Sequence, residues 1–166
     1  MLQPAEQGTV TAKIIDLGLA KSVVEDGNEK SISAAGGFVG TPEYASPEQF
    51  VGLPTDIRSD IYSLGITLWK VLVGRVPFQG SAAELMFKSR DARLPLEQLA
   101  NVPEPICMLL RIMLQRDPAS RFQTPAEAED AIQKVANAIR KGRNLRPEDL
   151  RSSTDEISNL TLPGPT

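Results

Sequence analysis

The segment from Asp60 to Val73, DIYSLGITLWKVLV, constrains the fold more than any other, because it has helical length and is apolar on nearly every side. Its large apolar residues are Ile61, Leu64, Ile66, Leu68, Trp69, Val71 and Leu72. A helix that is apolar around its whole circumference needs protein around it. We therefore expect this segment to be the central helix of a helical domain.

Four S/T/N-x-x-E/Q signatures indicate where helices begin. In this signature the first side chain accepts a hydrogen bond from the helix start, and the last side chain reaches back to it. The signatures are Ser46-Pro47-Glu48-Gln49, Ser81-Ala82-Ala83-Glu84, Asn101-Val102-Pro103-Glu104 and Thr124-Pro125-Ala126-Glu127. They predict helices at about 47–51, 81–90, 103–115 and 125–141.

The N-terminal part has a different pattern. Residues 10–16 predict a short strand that ends at Asp16, and Gly18 permits a bend after it. A carboxylate that closes an apolar strand needs a counter-charge or a metal ion. Residues 19–40 form a long irregular segment, a kind that is usually functional or mobile. The fold class is therefore mainly α, with one short β-hairpin region near the start.

Composition narrows the possible functions. The 166 residues correspond to one domain, and the net charge of −3 gives no reason to expect nucleic-acid binding. The chain has no apolar stretch of about 18 residues and no secretory signal pattern at its start, so we expect a cytoplasmic protein without a membrane partner. Residues 142–166 are polar and rich in Ser, Gly and Pro, which predicts a disordered tail or linker.

The chain contains no histidine, which excludes Ser-His and Cys-His catalysis and the H-E-x-x-H zinc site. The single cysteine, Cys107, lies among apolar residues and is expected to be a core thiol. One cysteine cannot form an intramolecular disulfide, which fits a reducing compartment.

Four stretches, taken in order, resemble the C-terminal lobe of a eukaryotic-type serine/threonine protein kinase of the bacterial kind. They are KIIDLGLAK, GTPEYASPEQF at 40–50, SDIYSLGITLWKVLVGRVPF at 59–78 and RDPASRF at 116–122. The resemblance covers residues 11 to about 138, and it implies a partial kinase domain over residues 1–141.

The resemblance implies a role for each matching position. Asp16-Leu17-Gly18 stands at the D-F-G element, so Asp16 and Gly18 are expected at the ATP site, with Asp16 as a Mg²⁺ ligand. Ser46-Pro47-Glu48 stands at A-P-E, which makes 16–48 the activation segment. Thr41 is expected to contact the catalytic aspartate of a complete kinase from the substrate-facing loop. Three serines of the segment are candidate phosphosites, Ser22, Ser31 and Ser33.

Three further positions are implied to be structural, and one departs from the family. Glu48 and Arg121 match a buried ion pair, and Asp60 matches an acid that accepts backbone N–H groups of the catalytic loop. Lys70 stands where the family commonly has an acid, so its charge must reach solvent or a partner.

The parts of a kinase that precede the D-F-G element have no match in the sequence. These are the Gly-rich loop, the strand lysine, its glutamate partner and the H-R-D-x-x-x-x-N loop. Met1-Leu2-Gln3 resembles the residues just after that loop, so we expect the chain to begin inside the kinase domain, without the N-terminal lobe. ATP, Mg²⁺ and protein substrates are implied for the complete enzyme. The isolated chain is expected to be inactive and to bind no nucleotide tightly.

Other readings remain open. The alternative interpretation is a non-catalytic interaction module that binds a kinase or its substrates through surfaces around 41–53 and 81–95. Asp16 would then be a strand-end acid that caps a turn, Thr41 a turn residue, and the three serines ordinary loop residues. If the chain is a kinase part, we expect its upstream half to be on another chain, to have been cut off, or to have been lost. Without cover for the central helix, we expect marginal stability and an exposed apolar patch.

Overall fold

The structure, a computed structural model, describes residues 2–4, 10–12 and 41–151. The chain divides into two compact units, Met1–Ser31 and Ile32–Thr166. In the first unit, strand β1 (Leu2–Pro4) pairs antiparallel with strand β2 (Val10–Ala12), and Gln3 lies opposite Thr11. The hairpin near the start is thus confirmed. The predicted strand at 10–16 is seen over Val10–Ala12, and residues 13–16 lie outside the described residues.

The second unit is helical, and its described part begins at Thr41. Its helices are α1 (Pro47–Phe50), α2 (Ile57–Val73), α3 (Ala82–Asp91), α4 (Glu104–Met113) and α5 (Pro125–Lys141). Short 3-10 turns lie at Pro42–Tyr44, Leu96–Leu99, Pro118–Ser120 and Pro147–Leu150. The central helix, α2, begins before the predicted Asp60, because Asp56 Oδ1 accepts a hydrogen bond from Arg58 N at 2.9 Å and caps it.

Three of the four predicted start signatures are confirmed. Ser81 begins α3 as a full capping box, with hydrogen bonds in both directions to Glu84. At the start of α1, Ser46 N and Oγ both donate to Gln49 Oε1, and at the start of α5 the Thr124 hydroxyl accepts from Glu127 N at 3.1 Å. The signature at Asn101 is wrong, since α4 has Pro103 at its N-cap and no side-chain cap. Val102 would have to be the first helical residue there, and a residue before proline is disfavoured in the helical conformation.

Helices α2 and α4 contribute to both core clusters. In one cluster Ile61 of α2 packs with residues of α4 and α5, and in the other Trp69 and Ile66 pack with Leu110. The helices approach closely at Gly65, where an added Cβ would lie 2.9 Å from Leu114 Cδ2. The prediction that α2 is the central helix is confirmed in this sense.

The expectation that protein surrounds α2 on all sides is not met within the described residues. Trp69 is fully buried, but Val71 is 76% exposed, and Leu64 and Leu72 are also exposed. An apolar face of a helix is buried only where another element packs against it. No helix in the described ranges is long and apolar enough to cross a membrane.

The composition-based prediction of a disordered segment from 142 is wrong for its first ten residues. Gly142 ends α5 with φ of 59°, and the chain then turns through Pro147–Leu150. Leu150 is fully buried in the same cluster as Met108 and Ile112, and Leu145 packs against it. Two leucines in this polar stretch pack against the helical core. The average composition of the stretch does not show such individual contacts. Residues 152–166 lie outside the described residues.

Candidate functional site

The best-defined polar feature of the described residues is a buried ion pair between Glu48 and Arg121. Arg121 Nη1 donates to Glu48 Oε1 at 2.7 Å and Arg121 Nη2 donates to Glu48 Oε2 at 2.8 Å. Both residues are buried, and the Ser59 hydroxyl also donates to Glu48 Oε1 at 2.6 Å. This geometry is the bidentate arrangement in which a guanidinium and a carboxylate bind most strongly. The pairing predicted from the resemblance is present in the structure.

The remaining N–H groups of Arg121 are also satisfied. Its Nε donates to Gln115 O, Nη1 to Arg58 O and Nη2 to Arg116 O, at 2.8 to 3.0 Å. Arginine has five N–H donors, and all of them are used here. The guanidinium also lies 4.9 Å from the ring centroid of Tyr62. A buried charge with every donor paired holds its surroundings in one arrangement, because any displacement leaves a donor unsatisfied.

The local folding of three segments brings this site together. Glu48 is the second residue of α1, Ser59 lies in the first turn of α2, and Arg121 follows the turn that Asp117 caps through Ala119 N. The site therefore fixes the start of α1 to the helices that follow it.

The surroundings shift the pKa of two groups at the site. Burial by itself raises the pKa of Glu48, but the hydrogen bonds from Arg121 and Ser59 outweigh it and lower the pKa to about 2. Burial raises the pKa of Tyr62 to about 12. Glu48 is therefore ionised and Tyr62 neutral at physiological pH.

Sequence reasoning missed Ser59 and Tyr62. The two residues lie three positions apart on α2 and therefore share a face with the buried Ile66. A serine on the buried face of a helix requires a polar partner. That requirement was the available signal in the sequence, and the structure supplies Glu48 as the partner.

Thr41 lies directly before the turn Pro42–Tyr44, and α2 holds that turn in place. Thr41 O accepts from Tyr44 N at 3.1 Å, while Ser63 Oγ donates to Tyr44 O at 2.9 Å. Lys70 Nζ donates to Tyr44 Oη at 2.9 Å. Thr41 is exposed, and its hydroxyl caps nothing. Among the described residues the hydroxyl therefore remains free for an external group.

A cavity of about 410 Å³ opens beside Thr41. Tyr44 and Lys70 line one part of it, and Arg75 and Gly80 line another. Glu43 contributes the acidic group of its lining. This cavity could not be predicted from a sequence pattern, because its walls come from the turn, the end of α2 and the loop before α3.

Asp60 makes no hydrogen bond or ion pair within the described part of the chain. It is an exposed residue in the first turn of α2. Partial burial, and secondarily the charge of Asp56, raise the pKa of Asp60. Asp56 is itself paired with Arg58 at 2.6 Å, which lowers the pKa of Asp56. Asp60 is thus an acceptor for which residues 41–151 supply no donor, and its expected partner, a catalytic loop, has no match in the sequence.

The remaining predicted site residues, Asp16, Gly18, Ser22, Ser31 and Ser33, lie outside the described residues. Within residues 41–151 there is no group of three acidic or cysteine side chains suited to a metal ion. The described residues therefore supply no metal-binding site of their own, and the expectation for magnesium stays with Asp16.

Comparison with known proteins finds similarity to protein kinases. The protein kinase domain family matches residues 1–135. Serine/threonine-protein kinase pkn2 of Myxococcus xanthus is 38% identical over 133 residues, which are 77% of this chain and 16% of that protein. Serine/threonine-protein kinase PknB of Mycolicibacterium smegmatis is 32% identical over 156 residues, 92% of this chain and 24% of the relative. PknB of Mycobacterium tuberculosis is 33% identical over 132 residues, which are 78% of this chain and 21% of that protein. The chain thus spans less than a quarter of the length of these relatives.

Proposed function

Because the chain belongs to the protein kinase family, we propose that it serves as the substrate-holding C-terminal lobe of an enzyme that transfers phosphoryl groups to serine and threonine hydroxyls. The observation that carries this proposal is the bidentate, fully satisfied pair of Glu48 and Arg121. It anchors the C-terminal end of the activation segment, residues 16–48, to the helical lobe.

The role of this anchor follows from the chemistry of phosphoryl transfer. The reaction needs little covalent participation by the protein and depends on the positions of ATP, metal ions and the attacking hydroxyl. Thr41 lies seven residues before Glu48, and the turn between them is bonded to α2 through Ser63. The hydroxyl of Thr41, which has no hydrogen-bond partner among residues 41–151, is therefore available at a fixed loop, as a contact to a catalytic aspartate requires.

The ATP and magnesium site is assigned to residues before this loop. Magnesium, when bound, neutralises charge on the nucleotide phosphates. Asp16 would hold it, and Gly18 would allow the chain to turn beside it. Ser22, Ser31 and Ser33 are the sites at which phosphate would regulate the segment.

We further propose that these 166 residues alone do not catalyse phosphoryl transfer. They include no match to the phosphate-binding loop, the strand lysine or the H-R-D loop, and they contain no histidine. The carboxylate of Asp60 supports this, because it has no hydrogen-bond partner among residues 41–151 and is the acceptor that a catalytic loop would occupy.

A fusion experiment tests the function. The chain is joined after the upstream part of PknB from Mycobacterium tuberculosis, and incorporation of labelled phosphate into a generic protein substrate is measured. We expect activity from the fusion, none from the chain alone, and none from the fusion with Asp16→Asn. Fusion with Ser153→Ala is the matched control and should remain active. A folded but inactive fusion, or activity of the chain alone that Asp16→Asn abolishes, would contradict the proposal.

Exposed apolar residues support the second candidate, an interaction module. Leu53 is 58% exposed and Phe87 is 68% exposed, and both lie on the surfaces predicted for partner binding. This candidate requires no chemistry at Asp16. An inactive fusion together with binding of a kinase that Leu53→Ser and Phe87→Ser abolish would favour it.

A further inference from the structure

The cavity beside Thr41 has an excess of positive charge that the described residues, 41–151, do not neutralise. Its volume is about 410 Å³, large enough to admit a side chain, and Lys70 and Arg75 line it together with the single acid Glu43. Two cations and one carboxylate leave one positive charge. This charge is available to a ligand, because both cations are exposed.

Lys70 is held in place and still has donors to offer. Its Nζ donates one hydrogen bond to Tyr44 Oη at 2.9 Å and lies 5.6 Å from the centroid of the Tyr44 ring. An ammonium group has three N–H donors, so two are unused by the described residues. Lys70 also lies in the last turn of α2, where the helix dipole favours a cation.

Arg75 makes no hydrogen bond or ion pair with the rest of residues 41–151. It follows Gly74, which ends α2 with φ of 83°, so its position beside the helix end is set by the backbone. An unpaired guanidinium offers a planar fork of donors that matches a carboxylate.

The other charged groups nearby are already engaged. Lys88 Nζ donates to Gln79 O at 2.7 Å and so supports the cavity wall. Glu84 Oε2 accepts from both Ser81 N and Ser81 Oγ as part of the α3 capping box. Lys88 and Glu84 interact electrostatically and carry opposite charges that offset each other, so the charge balance of the cavity lining rests on Lys70, Arg75 and Glu43.

We propose that this cavity binds the carboxylate of a glutamate or aspartate in a protein substrate, with Lys70 and Arg75 as the recognising groups. The assignment of the ligand as a substrate rests on the proposed function. A carboxylate carries the single negative charge that the cavity lacks, whereas a phosphate dianion would leave an excess beside Glu43. Lys70 stands where the family commonly has an acid on the central helix. With a cation at this position, the chain selects substrates with an acidic residue.

Peptide binding tests the proposal without any need for catalysis. Fluorescent alanine-rich peptides with one serine, and with glutamate, glutamine, lysine or phosphoserine at the flanking positions, are titrated with the 166-residue chain, and anisotropy is measured. We expect glutamate peptides to bind about five-fold more tightly than glutamine peptides at low salt, as for a solvent-exposed ion pair of favourable geometry. The preference should decrease as salt is added.

Variants assign the preference to the cavity. Lys70→Met and Arg75→Gln should each abolish it, and Lys70→Glu should reverse it toward lysine peptides. Lys141→Glu makes the same charge change on the exposed end of α5 and should leave the preference intact. Circular dichroism of each variant verifies that it is folded.

Three results would overturn the proposal. These are equal binding of glutamate and glutamine peptides or no binding of either, a preference that survives Lys70→Glu, and a preference restricted to phosphoserine peptides. The fusion experiment is independent of this one. An inactive fusion with a Lys70-dependent glutamate preference would contradict the catalytic role alone, and an active fusion without that preference would contradict the carboxylate site alone.

Discussion

At the scale of single residues, Arg121 shows how a buried charge is tolerated. Its five donors bind two carboxylate oxygens and three backbone carbonyls. Desolvation of a guanidinium is costly, and only complete pairing compensates for it. Removal of one partner therefore costs far more than the net contribution of the pair, because the other charge stays buried and unpaired.

Glu48→Gln should destabilise the chain by about 3 to 5 kcal/mol at pH 7, the usual cost of breaking a buried pair. The folded-state pKa of Glu48, about 2, lies below its ordinary value of 4.5. The stabilisation is therefore complete above about pH 4.5 and is lost as pH falls through about 2. Urea unfolding of both proteins between pH 7 and pH 3 should show the difference narrowing.

Glu104→Gln is the matched control, because its partner Arg111 is exposed and lies 3.1 Å away. Such a pair contributes at most about 1 kcal/mol. A Glu48→Gln effect that is equally small, or that does not change with pH, would mean that the buried carboxylate is not ionised in the folded chain.

Gly65→Ala should destabilise the chain, although alanine in a helix interior normally adds up to about 1 kcal/mol over glycine. The new Cβ would lie 2.9 Å from Leu114 Cδ2 and 3.0 Å from Met113 Cβ. Overpacking of this kind costs about 1 to 3 kcal/mol. Thermal or urea unfolding measures it, and Leu114→Val in the Gly65→Ala background should recover part of the loss. A more stable Gly65→Ala protein would contradict the close approach of α2 and α4.

At the scale of elements, the positions of the helices followed from local chemistry. The starts of α1, α3 and α5 were predicted because Ser46, Ser81 and Thr124 cap them through side-chain contacts within three residues. The start of α4, predicted at about 103, is observed at Glu104, but Asn101 does not cap it, because Pro103 is the N-cap residue. The docking of residues 142–151 was missed because it depends on a contact between distant parts of the chain.

Leu150→Ala should cost about 2 to 5 kcal/mol, as for other fully buried leucines. The C-terminal turn would lose its attachment to the cluster of α4 and α5, and the loss is measured by urea unfolding. Leu53→Ala, at a position that is 58% exposed, is the matched control and should cost under about 1 kcal/mol. Equal stability of Leu150→Ala and the unmodified chain would show that the turn does not belong to the core.

At the scale of the whole molecule, the Glu48–Arg121 pair of the candidate site could be predicted from the family resemblance, and the Thr41 cavity could not. The pair requires a glutamate and an arginine at two motif positions, and both residues can be identified in the sequence. The cavity arises where a turn, a helix end and a loop meet, and its shape depends on backbone geometry. The apolar pattern of α2 likewise predicted burial, but it did not indicate which face stays exposed.

The exposed face of α2 should make the chain bind hydrophobic dyes. Val71→Ser and Leu72→Ser together should lower dye fluorescence and self-association, because Val71 is 76% and Leu72 40% exposed. Their effect on the free energy of unfolding should be smaller than that of a polar substitution in the core, since both side chains are exposed. Ile66→Ser, at a buried position of the same helix, should instead unfold the chain. Unchanged dye fluorescence in the double variant would show that another surface is responsible.

The ion pair of Glu48 and Arg121 joins residues that are 73 positions apart in the sequence. Contacts of such long range form late in folding, because the intervening chain must close a large loop first. During synthesis on the ribosome, α1 is therefore made long before its anchor emerges. The start of α1 can acquire its buried partner only after Arg121 has left the exit tunnel, so premature termination before Arg121 would release a chain in which the Glu48 carboxylate lacks its counter-charge.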